Sequence, residues 1–299
     1  MRIGISVCSN YRVEDPRLGA KYMIERARAA RQADLDTLFV GDHHVVPVPY
    51  YQNVPILGRM LAEWHNKPAG ALFLLPLWNP VLLAEQIGTL ASIMQGRFIM
   101  QCGLGDTHQS QGMGIDDAKR VGMFNASIDI MRRLWAGETV SHDKYWPIQN
   151  AQINPVPAEP VEIWVGAVAP AAINRTARVA EGWLASPSLT LAAATDALNL
   201  YRQACAEHDR TPTAVAIRRD VFIATNEKEV QTFKTRLSAR GHRGFSEEAL
   251  LIGTINQVKD ELAQFAELGY TDVIMRNIST DQSEALSTIE LLAQVAEAL

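Results

Sequence analysis

A carboxylate followed at once by two imidazoles, Gly41-Asp42-His43-His44, is the stretch of this chain best suited to moving protons. Histidine is the side chain whose ordinary pKa lies nearest neutrality, and a neighbouring Asp can set its tautomer and make it a general acid or base. The cluster also invites a metal reading. Adjacent strand residues project to opposite faces, however, so His43 and His44 are poorly placed to chelate one ion together, and no metal is expected. Two readings stay open on these residues alone: a structural histidine bonded to backbone, or an acid/base histidine oriented by Asp42.

Three other stretches carry chemical potential. Gly103-Leu104-Gly105 lacks the third glycine and the lysine of the nucleotide fingerprints, so it is either a tight turn or a place where two missing Cβ atoms let a flat ring approach the backbone. Gly166-Ala167-Val168-Ala169-Pro170 runs into a helix with small side chains, and the free N–H groups and positive dipole of a helix N-terminus suit a phosphate. Arg236, Arg240, His242 and Arg243 surround Gly241 and Gly244, which marks a solvated loop in preference to a lid that meets anions. Of six tryptophans, five read as packing, and only Trp78 sits where it can touch a ring or substrate.

The elements that must position these residues alternate along the chain. Short β-branched runs, each followed by a segment of helical period, predict strands at Ile3–Val7, Thr37–Val40, Ala71–Leu75, Phe98–Cys102, Ile163–Val165, Trp183–Ala185, Val215–Ala224 and Asp272–Met275. Helices are expected at Gly19–Ala33, from Pro80 to about Met94, up to Trp135, and over Ala171–Ala180, Glu227–Leu237, Val258–Leu268 and Glu284–Ala298, with a hairpin near Val140–Tyr145. Eight strand and helix pairs favour one closed β/α barrel over residues 1–299, with an insertion between strands two and three, because a closed sheet leaves no unpaired edge. An open doubly wound sheet is the runner-up. In a barrel the chemistry gathers at the C-terminal ends of the strands, which is where the Asp-His-His, Trp78, Gly-Leu-Gly and Gly166 stretches fall.

Composition removes several classes of function. A net charge of −5 without a concentrated basic surface argues against nucleic acid as a partner. Three dispersed cysteines make neither a disulfide framework nor a zinc motif and read as core thiols. No long apolar run or leader pattern is present, so a cytoplasmic protein without a membrane partner is expected.

Several long stretches in the right order carry a resemblance: Leu74-Leu75-Pro76-Leu77-Trp78-Asn79-Pro80 on to Gln86, Gly96-Arg97-Phe98 into Cys102-Gly103-Leu104-Gly105, and Ile163-Trp164-Val165-Gly166 before Ala177 to Trp183. Over nearly its whole length the chain resembles the luciferase-like monooxygenase family, whose members use reduced FMN or the deazaflavin F420. The resemblance implies that His43, with Asp42 beside it, is catalytic. It places a non-proline cis peptide between Ala71 and Leu72 beneath the cofactor ring, a bond that costs about 3 kcal/mol. It sets Gly103 and Gly105 along the ring or its chain, and Gly166, Ala167, Val168, Ala169, Ala171 and Ala172 around the phosphate. Bacterial luciferase has an arginine in the strand-four loop; the matching residue here is Leu104.

The same resemblance implies an enzyme that oxidises a small organic substrate with O2 and reduced flavin from a separate reductase. Deazaflavin-dependent hydride transfer is the alternative, and a flavin-binding protein without turnover the third. The stretch from Val45 to Asn66 holds Tyr50, Tyr51 and Trp64 and is expected to cover the pocket, its apolar content suggesting an apolar substrate, with Tyr50, Tyr51 and Trp78 in the substrate wall. A homodimer through the helices after strands two and three is expected.

Overall fold

The computed structural model describes residues 1–297, so the expected end of the last helix at Ala298 lies outside them. The chain runs β1 (Arg2–Val7), α1 (Pro16–Gln32), β2 (Thr37–Val40), α2 (Asn53–Trp64), β3 (Ala69–Leu74), α3 (Pro80–Ile93), β4 (Phe98–Gly103), α4 (Thr107–Gly112) and α5 (Arg120–Trp135). It continues through β5 (Val140–His142), β6 (Ile148–Ala151), β7 (Glu162–Gly166), α6 (Pro170–Val179), β8 (Gly182–Ala185), α7 (Leu191–Glu207), β9 (Ala214–Ala224), α8 (Glu227–Arg240), β10 (Leu250–Thr254), α9 (Ile255–Leu268), β11 (Asp272–Asn277) and α10 (Gln282–Glu297).

Parallel pairing in the order β1-β2-β3-β4-β7-β8-β9-β11 closes on itself where β11 meets β1, giving the expected eight-stranded barrel. The seam is held by Arg2, whose Nε and Nη2 donate to Asp272 Oδ1 and Oδ2 at 2.7 and 2.8 Å. Because a parallel strand needs a crossover, each ring strand is followed by a helix that lays its apolar face on the barrel. In α1 that face is Gly19, Met23, Ala27 and Ala30, and in α3 it is Leu83, Ala84, Ile87 and Leu90.

Three elements depart from the expectations. The stretch from Val45 to Asn66 is mostly the ordinary crossover helix α2, with Ile56, Leu57, Met60, Leu61 and Trp64 buried against the barrel. Its apolar residues build core, and the real cover is the short loop before it. Helix α7, unforeseen after the short β8, buries Leu198 and Tyr201. Strand β10 lies outside the ring: β8 pairs only Ala214–Ile217 of the long β9, and β10 takes the stretch from Asp220 to Ala224 on the edge that β8 leaves open. The hairpin is present as β5 against β6.

The Ala71-Leu72 peptide is trans; the cis bond found among the described residues is Asn154-Pro155. Ala71 pairs with Val40 and Met100, and Leu72 continues the register opposite Gln101, so β3 keeps an unbroken ladder that a flipped peptide would interrupt. No helix among the described residues is long and apolar enough to cross a membrane.

Candidate active site

The C-terminal ends of the ring strands open onto a cavity of about 570 Å³. One wall comes from β2, β3, β4 and the loops after them, through Gly41, Asp42, His43, Leu72, Leu74, Gly105, Asp106 and Gln109. Val46, Val48 and Tyr50 of the loop before α2 close one side. The opposite wall comes from β1, β9, β11 and the loop after α8, through Cys8, Arg218, Arg276 and Arg243.

His43 lies in the first wall, its ring tilted against Tyr50 at a centroid distance of 5.7 Å. Burial holds its imidazole below the ordinary value, against the opposing pull of Asp106 and Asp42. It is therefore neutral near pH 7, a form that accepts a proton. Tyr50 is pushed up to about 12, chiefly by burial, and stays a neutral phenol that can donate.

Asp42 does not orient His43. Its carboxylate turns inward, where Oδ2 accepts from Leu74 N and Trp78 Nε1, both at 2.8 Å, while Oδ1 stands 3.0 Å from His44 Nε2. Residues 41–44 follow β2 as irregular backbone, in which His43 and His44 diverge and it is His44 that turns toward Asp42. His44 is raised above its ordinary value, first by that contact and against burial. Asp42 thus ties the end of β2 to the end of β3. Trp78 serves as a donor in that tie, packed against Phe73, and does not line the cavity. Tyr51 also points elsewhere, its hydroxyl donating to Pro16 O while the ring covers Gly19 of α1.

The Gly-Leu-Gly turn brings Gly105 to the cavity with a φ of 72°, the left-handed region that favours glycine, whereas Gly103 remains in β4 behind Leu72 and Leu74. Ala71 is buried in the core and Leu72 reaches the wall. Two features here escaped sequence reasoning. Asn53 Nδ2 donates to Leu72 O at 2.7 Å from the start of α2, bracing the strand under the cavity. Arg120 Nη1 donates to Gly105 O at 2.9 Å, so although Leu104 stands at the position where luciferase has arginine, an arginine from α5 still holds this loop.

At α6, Gly166, Val168, Ala169 and Ala171 are exposed, Ala167 is buried, and its carbonyl accepts from Trp183 Nε1 at 2.9 Å. Ala172 N donates to Ala169 O at 2.9 Å and so is occupied, contrary to its expected role. Among the described residues, the N–H groups of Val168, Ala169 and Ala171 donate to no protein acceptor, and no side chain caps the terminus. A helix start with free donors and no cap suits an anion. The cavity volume is within the roughly 300–1,000 Å³ usual for small-molecule sites. The Gly105 turn and the small side chains of the mouth fit a flat ring, while the residues lining this cavity do not include the start of α6.

The basic loop and Cys8, expected as solvated loop and core thiol, both reach the mouth. Cys8 lies in the mouth with Arg276 Nη2 3.3 Å from its sulfur, not in the core; Cys102 and Cys205 are the buried thiols. Burial pushes the Cys8 thiol up, but the charge of Arg276 and a hydrogen bond with the Asn10 backbone outweigh it and hold the group below its ordinary value. The rule applied to strands two to five, that strand ends carry chemistry, finds Arg276, which directly follows the strand expected at Asp272–Met275, but not Arg218 and Asp220, which lie inside β9.

A barrel mouth with an uncharged histidine on one wall and a left-handed glycine turn beside it suits the class of β/α-barrel enzymes that hold a flat redox cofactor. The chain belongs to the luciferase-like monooxygenase family, whose model matches residues 1–239. Among curated relatives, an F420-dependent glucose-6-phosphate dehydrogenase of Nakamurella multipartita is 27% identical over 199 residues, 63% of this chain and 58% of that protein. A phthiodiolone/phenolphthiodiolone dimycocerosates ketoreductase of Mycobacterium tuberculosis is 28% identical over 160 residues, 51% of this chain and 42% of that protein. The chain spans about half the length of the curated relatives it matches. In fold it is similar to a monooxygenase of Streptomyces bottropensis, at TM-score 0.86 and 18% identity over 100% of this chain and 99% of that one. It is likewise similar to the FMN-bound oxygenating constituent of 3,6-diketocamphane monooxygenase of Pseudomonas putida, at TM-score 0.83 and 20% identity over 98% and 97%.

Proposed function

We propose that residues 1–299 act as one catalytic unit, an oxidoreductase that holds a reduced flavin-type cofactor across the barrel mouth and uses His43 to move the substrate's proton. The observation that carries this reading is His43 itself, uncharged near pH 7 and facing a cavity that also contains the Gly105 turn. The cofactor, when bound, supplies the electron pair, F420 as hydride without O2 and reduced FMN together with O2. The protein's own residues do the rest. Leu72, Leu74 and Gly105 would bear on the ring, and the N–H groups of Val168, Ala169 and Ala171 would hold the phosphate. Asp42 keeps the strand ends in register, and His43 takes or returns a proton at the substrate oxygen while Tyr50 packs beside it.

Of the two cofactors, F420 is the one the site supports better. Three arginines and the carboxylates of Asp42 and Asp106 line the mouth, an ion-lined setting unlike the dry pocket that oxygen chemistry on a flavin requires. Curated relatives named for F420 point the same way. The monooxygenase reading, with flavin from a separate reductase, is favoured by the description of the matched family. Fluorescence titration with F420 and with reduced FMN, alongside turnover of His43→Ala, tests both. Tight binding of F420 with turnover lost and binding kept in the variant is the expected result. Binding of reduced FMN alone moves the assignment to the monooxygenase, unchanged turnover removes His43 from the mechanism, and binding of neither overturns the proposal.

A homodimer through α2 and α3 belongs to the same reading, supported by the exposed Leu82 and Ile93 on α3. Light scattering of the wild type and of Leu82→Glu/Ile93→Glu checks it: a dimer that the substitutions split is expected, and a wild-type monomer refutes it.

A further inference from the structure

The second wall of the mouth carries more positive charge than the described residues neutralise. Asp220 is fully buried within β9, where the strand passes from the ring to β10, and its Oδ2 meets His242 Nε2 at 2.7 Å, Arg243 Nη1 at 3.2 Å and Arg276 Nη1 at 3.5 Å. Its Oδ1 is 3.6 Å from Arg218 Nε, too long for a hydrogen bond, so that among the described residues this buried Nε has no acceptor. Three guanidiniums therefore share one carboxylate. Even with Cys8 as a thiolate beside Arg276, one positive charge remains over. The other carboxylates of the cavity are engaged elsewhere, Asp42 by Leu74 and Trp78, Asp106 by the N and Nε2 of Gln109 at the start of α4.

Desolvated cations are costly unless paired, and this excess sits in a chain whose net charge is −5. The cluster is also built at a conformational cost. Arg243 has a φ of 55°, in the left-handed region that side chains avoid, between Gly241 at 67° and Gly244 at 70°. That backbone places its guanidinium against Asp220 at the edge of the cavity. Arg218 and Asp220 share a face two residues apart on β9, and Asp220 is the register partner of Arg276, so three elements converge on one point.

We propose that this wall is an anion subsite, formed by Arg218, Arg243 and Arg276, that binds a carboxylate, sulfonate or phosphate group of the substrate. The proposal rests on the cofactor reading above, and replaces the apolar substrate suggested by the loop composition. The anion belongs to substrate and not to cofactor because the cofactor's phosphate has its own donors at α6. In the ring, β7 and the cluster strands β9 and β11 are separated by β8. A substrate anchored at Arg218 extends toward His43 across the same cavity. Guanidiniums meet such oxygens through paired N–H groups, which fixes orientation as well as affinity.

Calorimetric titration of the cofactor-loaded protein with benzoate, benzenesulfonate and phenyl phosphate, each against neutral benzamide, tests this. The wild type is expected to bind at least one anion and to bind benzamide at least tenfold more weakly. Arg218→Gln and Arg243→Gln are expected to weaken that anion about tenfold or more, Arg218→Lys less so, with cofactor affinity within twofold of wild type. Arg243 stands at the rim, so its variant stays informative where Arg218→Gln fails to fold. Equal affinity of wild type and both variants for the anions overturns the proposal. So does loss of cofactor binding in the variants, which would assign the cluster to the cofactor's phosphate. Loss of cofactor binding by the wild type itself would mark failure of the cofactor reading instead, and anion binding measured without cofactor then still decides for or against the subsite.

Discussion

Replacing Asp42 with alanine tests the account of how the mouth is held together. The carboxylate is 4% exposed and accepts two hydrogen bonds, from Leu74 N and Trp78 Nε1, with His44 Nε2 3.0 Å away. Removing it leaves the Leu74 N–H and the Trp78 indole N–H without an acceptor. A hydrogen bond to a charged group contributes about 1.5–3 kcal/mol, so two predict a loss of about 3–6 kcal/mol, with the lower half favoured because the two share one carboxylate. For a chain of this size that is roughly 6–12 °C in Tm. Trp78→Phe removes one of the two donors and should cost about 1–3 kcal/mol, and the double variant should cost less than the sum of the single changes. Urea unfolding of the four proteins supplies the cycle. Additive losses, or a loss in Asp42→Ala below about 1 kcal/mol, would show that Asp42 does not brace these strands.

Other consequences can be measured independently. His43 is held below its ordinary pKa of 6.5, so the acid limb of the turnover profile should lie below pH 6.5, and His43→Ala should lose about 10²–10⁴ in kcat; a limb above pH 7 would refute the assignment. His44 has the opposite sign: its folded pKa is raised, so its contribution to stability is fully present below pH 6.5 and is lost as pH rises through the folded value. In unfolding measured against pH, His44→Gln should abolish that slope. Val168→Glu puts a negative charge on a 57% exposed residue at the α6 terminus and should weaken cofactor binding about tenfold relative to Val168→Gln, whereas equal affinities would move the phosphate elsewhere. At Gly70, an added Cβ would lie 1.7 Å from Ile99 O of the neighbouring strand, so Gly70→Ala should prevent folding or cost more than about 3 kcal/mol, read from expression and melting.

The barrel was legible because its cause is local. Each strand is a short apolar run whose burial on both faces needs no partner to be known, and the intervening helices show their period in sequence. Seven of the ring's strands came close to their expected bounds on that basis; β3 begins two residues earlier, at Ala69. Helix α2 hid inside what read as an insertion because Pro55 and the preceding prolines and tyrosines resemble loop, although Pro suits a helix's first turn. Strand β10 could not be foreseen, since it exists only because β8 stops after four residues and leaves β9 with an open edge.

Sequence alone also picked out His43, the Gly105 turn and the start of α6 as places of interest, because position at a strand's end is a one-dimensional fact. What the tertiary structure decided was pairing. It gave Asp42 to Trp78, Leu74 and His44, turned Tyr51 and Trp78 away from the cavity, and kept the Ala71-Leu72 peptide trans within an unbroken ladder. It also joined Arg218, Arg243 and Arg276, spread over 59 residues of chain, around a single carboxylate. Charge is written in the sequence, but whether it is neutralised depends on which distant side chains the closed sheet brings within a few ångströms, and that only the fold determines.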